Sequence, residues 1–121
     1  MKALLIVAHG SRNANSSRET EELTAAVRDR EHPFDIVEHA YLEIAQPDIP
    51  SGVADLVARG ARSITLLPLF LARGNHVERD MPETLEHLSG AFPDVVFRIT
   101  PHIGTCDGLP DLVIGHLESG D

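Results

Sequence analysis

The chain has a single cysteine, Cys106, so neither an internal disulfide nor a cysteine-based zinc site is available, and the fold is expected to stand on its core in a reducing compartment. Cations are scarce as well: ten Lys and Arg oppose nineteen Asp and Glu, a formal net charge of −9. A field of that sign repels nucleic-acid phosphates and anionic membrane surfaces, so neither is an expected partner. Long apolar runs are missing too. The opening stretch Ala3-Leu4-Leu5-Ile6-Val7-Ala8 has six residues, against the roughly 20 that cross a bilayer. No small-residue cleavage site follows it and His9-Gly10-Ser11-Arg12 comes next, so it reads as the buried first strand of a cytoplasmic protein, not as a signal peptide. Low-complexity tracts, linkers and internal repeats are not visible either. What is there, 121 residues with 42% hydrophobic and 24% charged, is the composition of a single globular domain, 1–121.

Four short apolar runs, 3–8, 34–41, 63–70 and 95–100, alternate with segments of helical character, which is the mark of a parallel α/β sheet. A helix over 17–30 sets Leu23, Ala26 and Val27 on one face, and another over 50–59 sets Val53, Leu56 and Val57, before Gly60 stops it; these spacings bury a stripe. A third helix is expected to start at Asp80 as N-cap, with Pro82 in the first turn, Glu83 completing a capping box, and Leu85 and Leu88 in the core. The last helix is expected over 109–117, and the acidic run 19–22 in a solvated first turn favoured by the helix dipole. Right-handed crossovers place helices on both faces, giving a flavodoxin-like three-layer α/β/α fold whose four parallel strands run in the order 2-1-3-4.

Ligands of such sheets bind beyond the carboxyl ends of the strands. The residues there are His9-Gly10-Ser11-Arg12, Leu42-Glu43-Ile44-Ala45-Gln46-Pro47, Leu71-Ala72-Arg73-Gly74-Asn75-His76 and Pro101-His102-Ile103-Gly104, three of which carry a histidine. Gly10 lets the backbone turn sharply after His9 and aims the imidazole into the crevice; the plainer reading has that ring bonding a nearby carbonyl. His76 shifts the balance, because strands one and three are neighbours in the expected order and the two imidazoles can approach. Two neutral imidazoles with open positions suit Co²⁺, Ni²⁺, Fe²⁺ or Zn²⁺. A closed structural site needs four ligands, which the sequence does not supply, so the metal is expected to be loaded and exchanged, with no cofactor permanently held. Of the remaining histidines, His32 and His87 read as surface residues, His39 as packing inside a strand, His116 as part of the last helix and His102 as intermediate. Cys106 reads as a small buried or loop thiol.

Three segments together resemble the small, single-lobe class II chelatases of the sirohydrochlorin cobaltochelatase (CbiX) type: Leu5-Ile6-Val7-Ala8-His9-Gly10-Ser11-Arg12, Ala40-Tyr41-Leu42-Glu43 running to Gln46-Pro47, and Leu67-Pro68-Leu69-Phe70-Leu71-Ala72-Arg73-Gly74-Asn75-His76 followed by Asp80-Met81-Pro82. The similarity covers nearly the whole chain. It implies a homodimer that reproduces the two lobes of longer members, His9 and His76 as catalytic, metal-binding residues, and a sirohydrochlorin-type tetrapyrrole as partner. It further implies contacts to the macrocycle from Gln46 after strand two and from Phe70, Leu71, Ala72, Arg73, Gly74 and Asn75 before the second histidine; Ser11, Arg12 and Glu43, on the same loops, are further candidates to bind it. The position of Gln46 is commonly a glutamate in relatives; whether Glu43, three residues earlier, replaces that carboxylate is left open by the sequence. The chain also lacks the histidine-rich insertion of some nickel-inserting members and the cysteine cluster of the plant iron-inserting form.

On this resemblance the expected reaction is insertion of a divalent metal, Co²⁺ first, then Fe²⁺ or Ni²⁺, with the imidazoles holding the ion above the ring and accepting pyrrole protons. Arg12, Arg73 and Arg79 are the candidates to pair with the many carboxylates of the macrocycle. Two other classes remain: a metal or tetrapyrrole carrier using the same histidines without turnover, and a histidine phosphatase-like enzyme. The latter chemistry wants an arginine immediately before the histidine, where Ala8 stands here.

Overall fold

A computed structural model describes residues 1–72 and 74–120, with the backbone alone over 75–78. Strands β1 (Lys2–Ala8), β2 (Ile36–Tyr41), β3 (Ser63–Pro68) and β4 (Val96–Ile99) form one parallel sheet in the order β2-β1-β3-β4. The expected strand order and class are therefore observed. Helices α1 (Ala14–Asp29), α2 (Ile49–Ala58) and α3 (Asn75–Ala91) make the crossovers, and α4 (Leu109–Ser119) follows β4 after a short 3-10 turn at Ile103–Thr105.

β1 is central and is buried on both faces, which is why it reads as an uninterrupted apolar run. Ala3, Leu5 and Val7 join Val53 and Leu56 of α2 and Met81 and Leu88 of α3 in the larger core, while Leu4 and Ile6 meet Val37 and Val27 on the α1 side. In register, Ala8 lies opposite Tyr41 of β2 and Val7 opposite Pro68 of β3, so three strands end at one level and deliver their loops to one place. β2 is an edge strand, and its exposed side is managed by charge. The Arg28 guanidinium donates to the Val37 carbonyl through Nε (3.1 Å) and Nη2 (2.7 Å). Glu38 then receives Arg28 at 2.8 Å and Arg59 at 2.7 Å. Those hydrogen bonds, first to Glu38 and then to Asp55, hold the Arg59 guanidinium above its ordinary value.

Helix boundaries depart from the expectations. α1 begins at Ala14, capped by the Asn13 side chain, which accepts from the Asn15 N–H. The acidic run 19–22 thus lies beyond the first turn, outside the reach of the dipole argument. The buried face of α1 is also different: Leu23 is 41% exposed, whereas Thr20 and Thr24 are buried. Each threonine hydroxyl donates to the carbonyl four residues earlier, Thr24 to Thr20 at 2.8 Å, so the polar group is satisfied within the helix and its methyl is free to pack. Asp80 is not an N-cap. α3 starts at Asn75 after Gly74, and Pro82 stands inside it; its core anchors are Met81 and Leu88, with Leu85 half-buried. β2 and β3 are each two residues shorter than their apolar runs and β4 is shorter by one residue at either end, because residues such as Phe34, Leu69 and Phe70 pack into the core from loops.

Candidate metal-handling site

The loops leaving β1 and β2 are joined backbone to backbone. Leu42 N–H donates to the Ala8 carbonyl at 2.9 Å and Glu43 N–H to the His9 carbonyl at 3.1 Å. Between them Gly10 has φ +105°, and a Cβ there would stand 1.7 Å from the Glu43 carbonyl oxygen. Glycine is thus required at this position twice over, by its backbone angle and by the close approach. The contact places the His9 and Glu43 side chains together: His9 Nε2 lies 2.9 Å from Glu43 Oε1, with the two side chains 51% and 45% exposed. Glu43, left ambiguous by the sequence, is therefore the carboxylate beside His9.

Behind the imidazole stands Phe70, edge to face at 6.1 Å and an interplanar angle of 76°. Phe70 is only 9% exposed and belongs to the core, so it backs His9 and offers no open ring surface. The open apolar side chains are its neighbour Leu71, 74% exposed, and Ile44, 59% exposed, on the loops after β3 and β2. Ile44 escaped the sequence reading. It is the one non-glycine residue with positive φ (71°) among the described residues, an angle a β-branched side chain adopts only under local constraint, and nothing in the sequence marks it.

The fourth loop closes this end of the sheet. Gly104 N–H donates to the Phe70 carbonyl at 3.0 Å, and a Cβ on Gly104 would come within 1.7 Å of the Leu71 carbonyl oxygen. Pro101-His102-Ile103-Gly104 thus holds the β3 loop from outside. On the β2 side, the Gln46 side chain accepts from the Asp48 N–H at 3.3 Å across a cis Gln46–Pro47 bond. Asp48 in turn caps α2 by accepting from the Ser51 N–H at 2.9 Å, and that bond holds its carboxyl below the ordinary aspartate value. A cleft of about 180 Å³ lined by Leu42, Ile49, Pro50, Thr84, His87 and Leu88 lies between the starts of α2 and the middle of α3.

Of the other expected site residues, Ser11 Oγ accepts from the Asn13 N–H at 3.0 Å. Arg12, Arg79, Ala72 and Gly74 are exposed. Arg73 and the side chains of Asn75 and His76 lie outside the described residues, and with them the approach of His76 to His9. Among the described residues no three His, Cys, Asp or Glu side chains converge on a metal-sized point. His39 stacks edge-on against Tyr41 at 5.5 Å, His32 Nδ1 accepts from the Phe34 N–H at 3.1 Å and is half-buried, and Cys106 is exposed. No helix among the described residues is long and apolar enough to cross a membrane.

An open parallel sheet with an imidazole and a carboxylate paired over its carboxyl end, flanked by exposed apolar side chains, defines a ligand-handling α/β protein of the doubly wound class. The CbiX family model matches residues 3–119, and the chain belongs to the CbiX family. It is 39% identical over 85 residues to the sirohydrochlorin cobaltochelatase of Methanococcus maripaludis, covering 70% of this chain and 58% of that protein. To the chloroplastic sirohydrochlorin ferrochelatase of Arabidopsis thaliana it is 31% identical over 110 residues, covering 91% of this chain and 48% of the other. Its matches with the methanococcal relatives thus span 58% and 59% of their lengths. Among solved structures, a putative cobalamin biosynthesis CbiX protein of Marinobacter aquaeolei superposes with TM-score 0.79 at 29% identity, covering 99% of this chain and all of that one. SirB of Bacillus subtilis with Fe³⁺ superposes with TM-score 0.81 at 26% identity, covering 98% of this chain and 46% of the other.

Proposed function

We propose that this chain, as a single lobe over 1–121, is a lyase that inserts a divalent metal into a sirohydrochlorin-type tetrapyrrole, and that it acts as a homodimer. Co²⁺ is the first candidate substrate metal, with Fe²⁺ and Ni²⁺ the alternatives. The observation that carries the proposal is the His9–Glu43 pair, 2.9 Å apart and half open to solvent, in a chain matching the CbiX model over 3–119.

Insertion exchanges two pyrrole N–H protons for one M²⁺, so a site must both present the ion and take the protons. A neutral imidazole does either. His9 is fixed by its loop and by Phe70 behind it, so its ring nitrogens have a defined place above the sheet end. Glu43 gives a proton a route onward from His9 to solvent, since both side chains are about half exposed. We assign His76 the second imidazole role on the strength of the family resemblance. Ile44 and Leu71, apolar and exposed on either side, suit the face of a flat macrocycle, whose peripheral carboxylates would pair with Arg12 and Arg79.

The test is anaerobic mixing of the purified chain with sirohydrochlorin and Co²⁺, Fe²⁺ or Ni²⁺ in turn, following the visible spectrum. Many equivalents should be metallated per chain, and His9→Ala should lower the rate by roughly 10²- to 10⁴-fold if the imidazole takes a proton in the transition state. Uptake that stops at one equivalent would identify a carrier, and a His9→Ala rate equal to the parent's would remove His9 from the chemistry.

A further inference from the structure

In a parallel sheet the carbonyls along one edge of a strand take their donors from the next strand. β4 ends at Ile99, opposite Leu66 of β3, and Thr100 N–H still reaches the Leu66 carbonyl at 3.0 Å. The chain then swings out through Pro101, His102 and Ile103 and comes back: Gly104 N–H donates to the Phe70 carbonyl, also at 3.0 Å, four residues further along the β3 line. The return is made by the 3-10 turn at Ile103–Thr105, closed on the His102 carbonyl by the Thr105 N–H at 2.9 Å and the Thr105 hydroxyl at 2.8 Å. This fit leaves no room for a side chain at 104. A Cβ there would collide with the carbonyl carbon and oxygen of Leu71, backbone atoms that no rotamer change moves aside.

On its other edge the same segment is bonded to β1. Val7 lies opposite Pro68, and Leu69 N–H donates to the Val7 carbonyl at 2.8 Å, so the register carried two residues on sets Phe70 beside His9. Phe70 packs into the larger core and meets the His9 imidazole edge to face. It is thus clamped from both sides, through Leu69 by β1 and through its own carbonyl by Gly104. The imidazole it supports is half open to solvent, with Glu43 on one side and Phe70 behind. Of these two neighbours Glu43 is itself half exposed and Phe70 is buried, so Phe70 is the one whose place is fixed by packing.

We propose that Gly104 is a positioning residue for metal insertion: by holding the backbone of Phe70 and Leu71 it sets the ring against which the His9 imidazole is oriented. This rests on the role proposed above for His9. An alanine at 104 must push the Leu71 peptide outward, and Phe70, one residue before it, follows; the support behind His9 is then lost although no atom of His9 or Glu43 has been changed. Displacing a reacting group by about 1 Å costs about 10²-fold in rate. The loss should fall in kcat more than in KM, because the loops after β1 and β2 stay in place.

Three variants test this relay: Gly104→Ala; Thr105→Val, which removes only the hydroxyl bond of the turn, at an exposed position; and Phe70→Leu, which removes the ring. Each is assayed for steady-state insertion of Co²⁺ into sirohydrochlorin and examined by NMR of the His9 ring protons, assigned by their absence from His9→Ala. With an unchanged helical spectrum, Gly104→Ala should lose about 10²-fold in kcat and Thr105→Val a smaller factor. The His9 ring protons, which feel the ring current of Phe70, should shift in the same direction in all three variants and furthest in Phe70→Leu. The double variant Gly104→Ala with Phe70→Leu should be no slower than Phe70→Leu alone, since residues that act through one another do not add. If Gly104→Ala does not fold, Thr105→Val carries the same comparison. Additive losses, His9 ring protons that keep their parent positions in Gly104→Ala and Thr105→Val, or a raised KM at unchanged kcat, which would mean that Gly104 acts on the exposed Leu71, would each overturn the relay while leaving His9 in its role. A His9→Ala protein with the parent's rate would instead remove His9 from the chemistry, and Gly104 with it, whatever the ring protons show.

Discussion

Gly10 is the residue on which the geometry of the site turns, and Gly10→Ala tests it. Alanine at φ +105° costs about 1–2 kcal/mol in backbone strain alone. Its methyl would also begin 1.7 Å from the Glu43 carbonyl oxygen, a separation no rotamer relieves, so the β1 and β2 loops must part. Parting breaks the Glu43 to His9 backbone bond of 3.1 Å and strains the Leu42 to Ala8 bond of 2.9 Å, worth about 1 kcal/mol each. The total is about 3–4 kcal/mol, a large fraction of the 5–15 kcal/mol by which domains are stable. Urea unfolding should show that loss with an unchanged slope. Because the same movement separates His9 from Glu43, the insertion proposed above should run about 10²-fold more slowly in the surviving folded protein, the usual cost of displacing a reacting group by about 1 Å. A Gly10→Ala protein within 1 kcal/mol of the parent and with its full rate would refute the account of the loop contact.

Two further expectations follow from other residues. Asp48→Ala removes the α2 cap and should cost about 1 kcal/mol at neutral pH. The bond from Ser51 holds the Asp48 carboxyl below the ordinary aspartate value when folded, so its contribution is present above that value and is lost as pH falls through the lower folded one; parent and variant should converge there in acid titrations of stability. Glu38→Gln loosens the strap from Arg28 and Arg59 over the edge strand. These pairs are solvent-exposed, so the loss should be at most about 1 kcal/mol and should shrink at high salt in thermal melts.

Much of the architecture is legible locally. β1 announces itself because burial on two faces demands six consecutive apolar residues, and Val53, Leu56 and Gly60 describe α2 and its end with hardly any error. α3 shows where local logic stops. Pro82 with Asp80 and Glu83 has the form of a helix start, yet the helix begins at Asn75. Burial of Met81 and Leu88 outweighs the roughly 3 kcal/mol that an interior proline costs. α1 errs the other way: leucine at 23 suggests a core face, but the helix rotates to bury two threonines whose hydroxyls are satisfied by its own carbonyls.

By itself, then, the sequence determined the alternation of strands and helices, the strand order, the family and the histidine that closes β1, because periodicity and short motifs are properties of neighbours along the chain. Only tertiary structure decided that Glu43 is the partner of His9, that Phe70 stands behind the imidazole, and that Ile44 is pressed into an unusual backbone angle. Those facts depend on parallel strands ending at one level and on the loops that leave them being bonded to one another. A carboxylate thirty-four residues from a histidine becomes its neighbour through the register of Ala8 with Tyr41, a relation that no local pattern encodes.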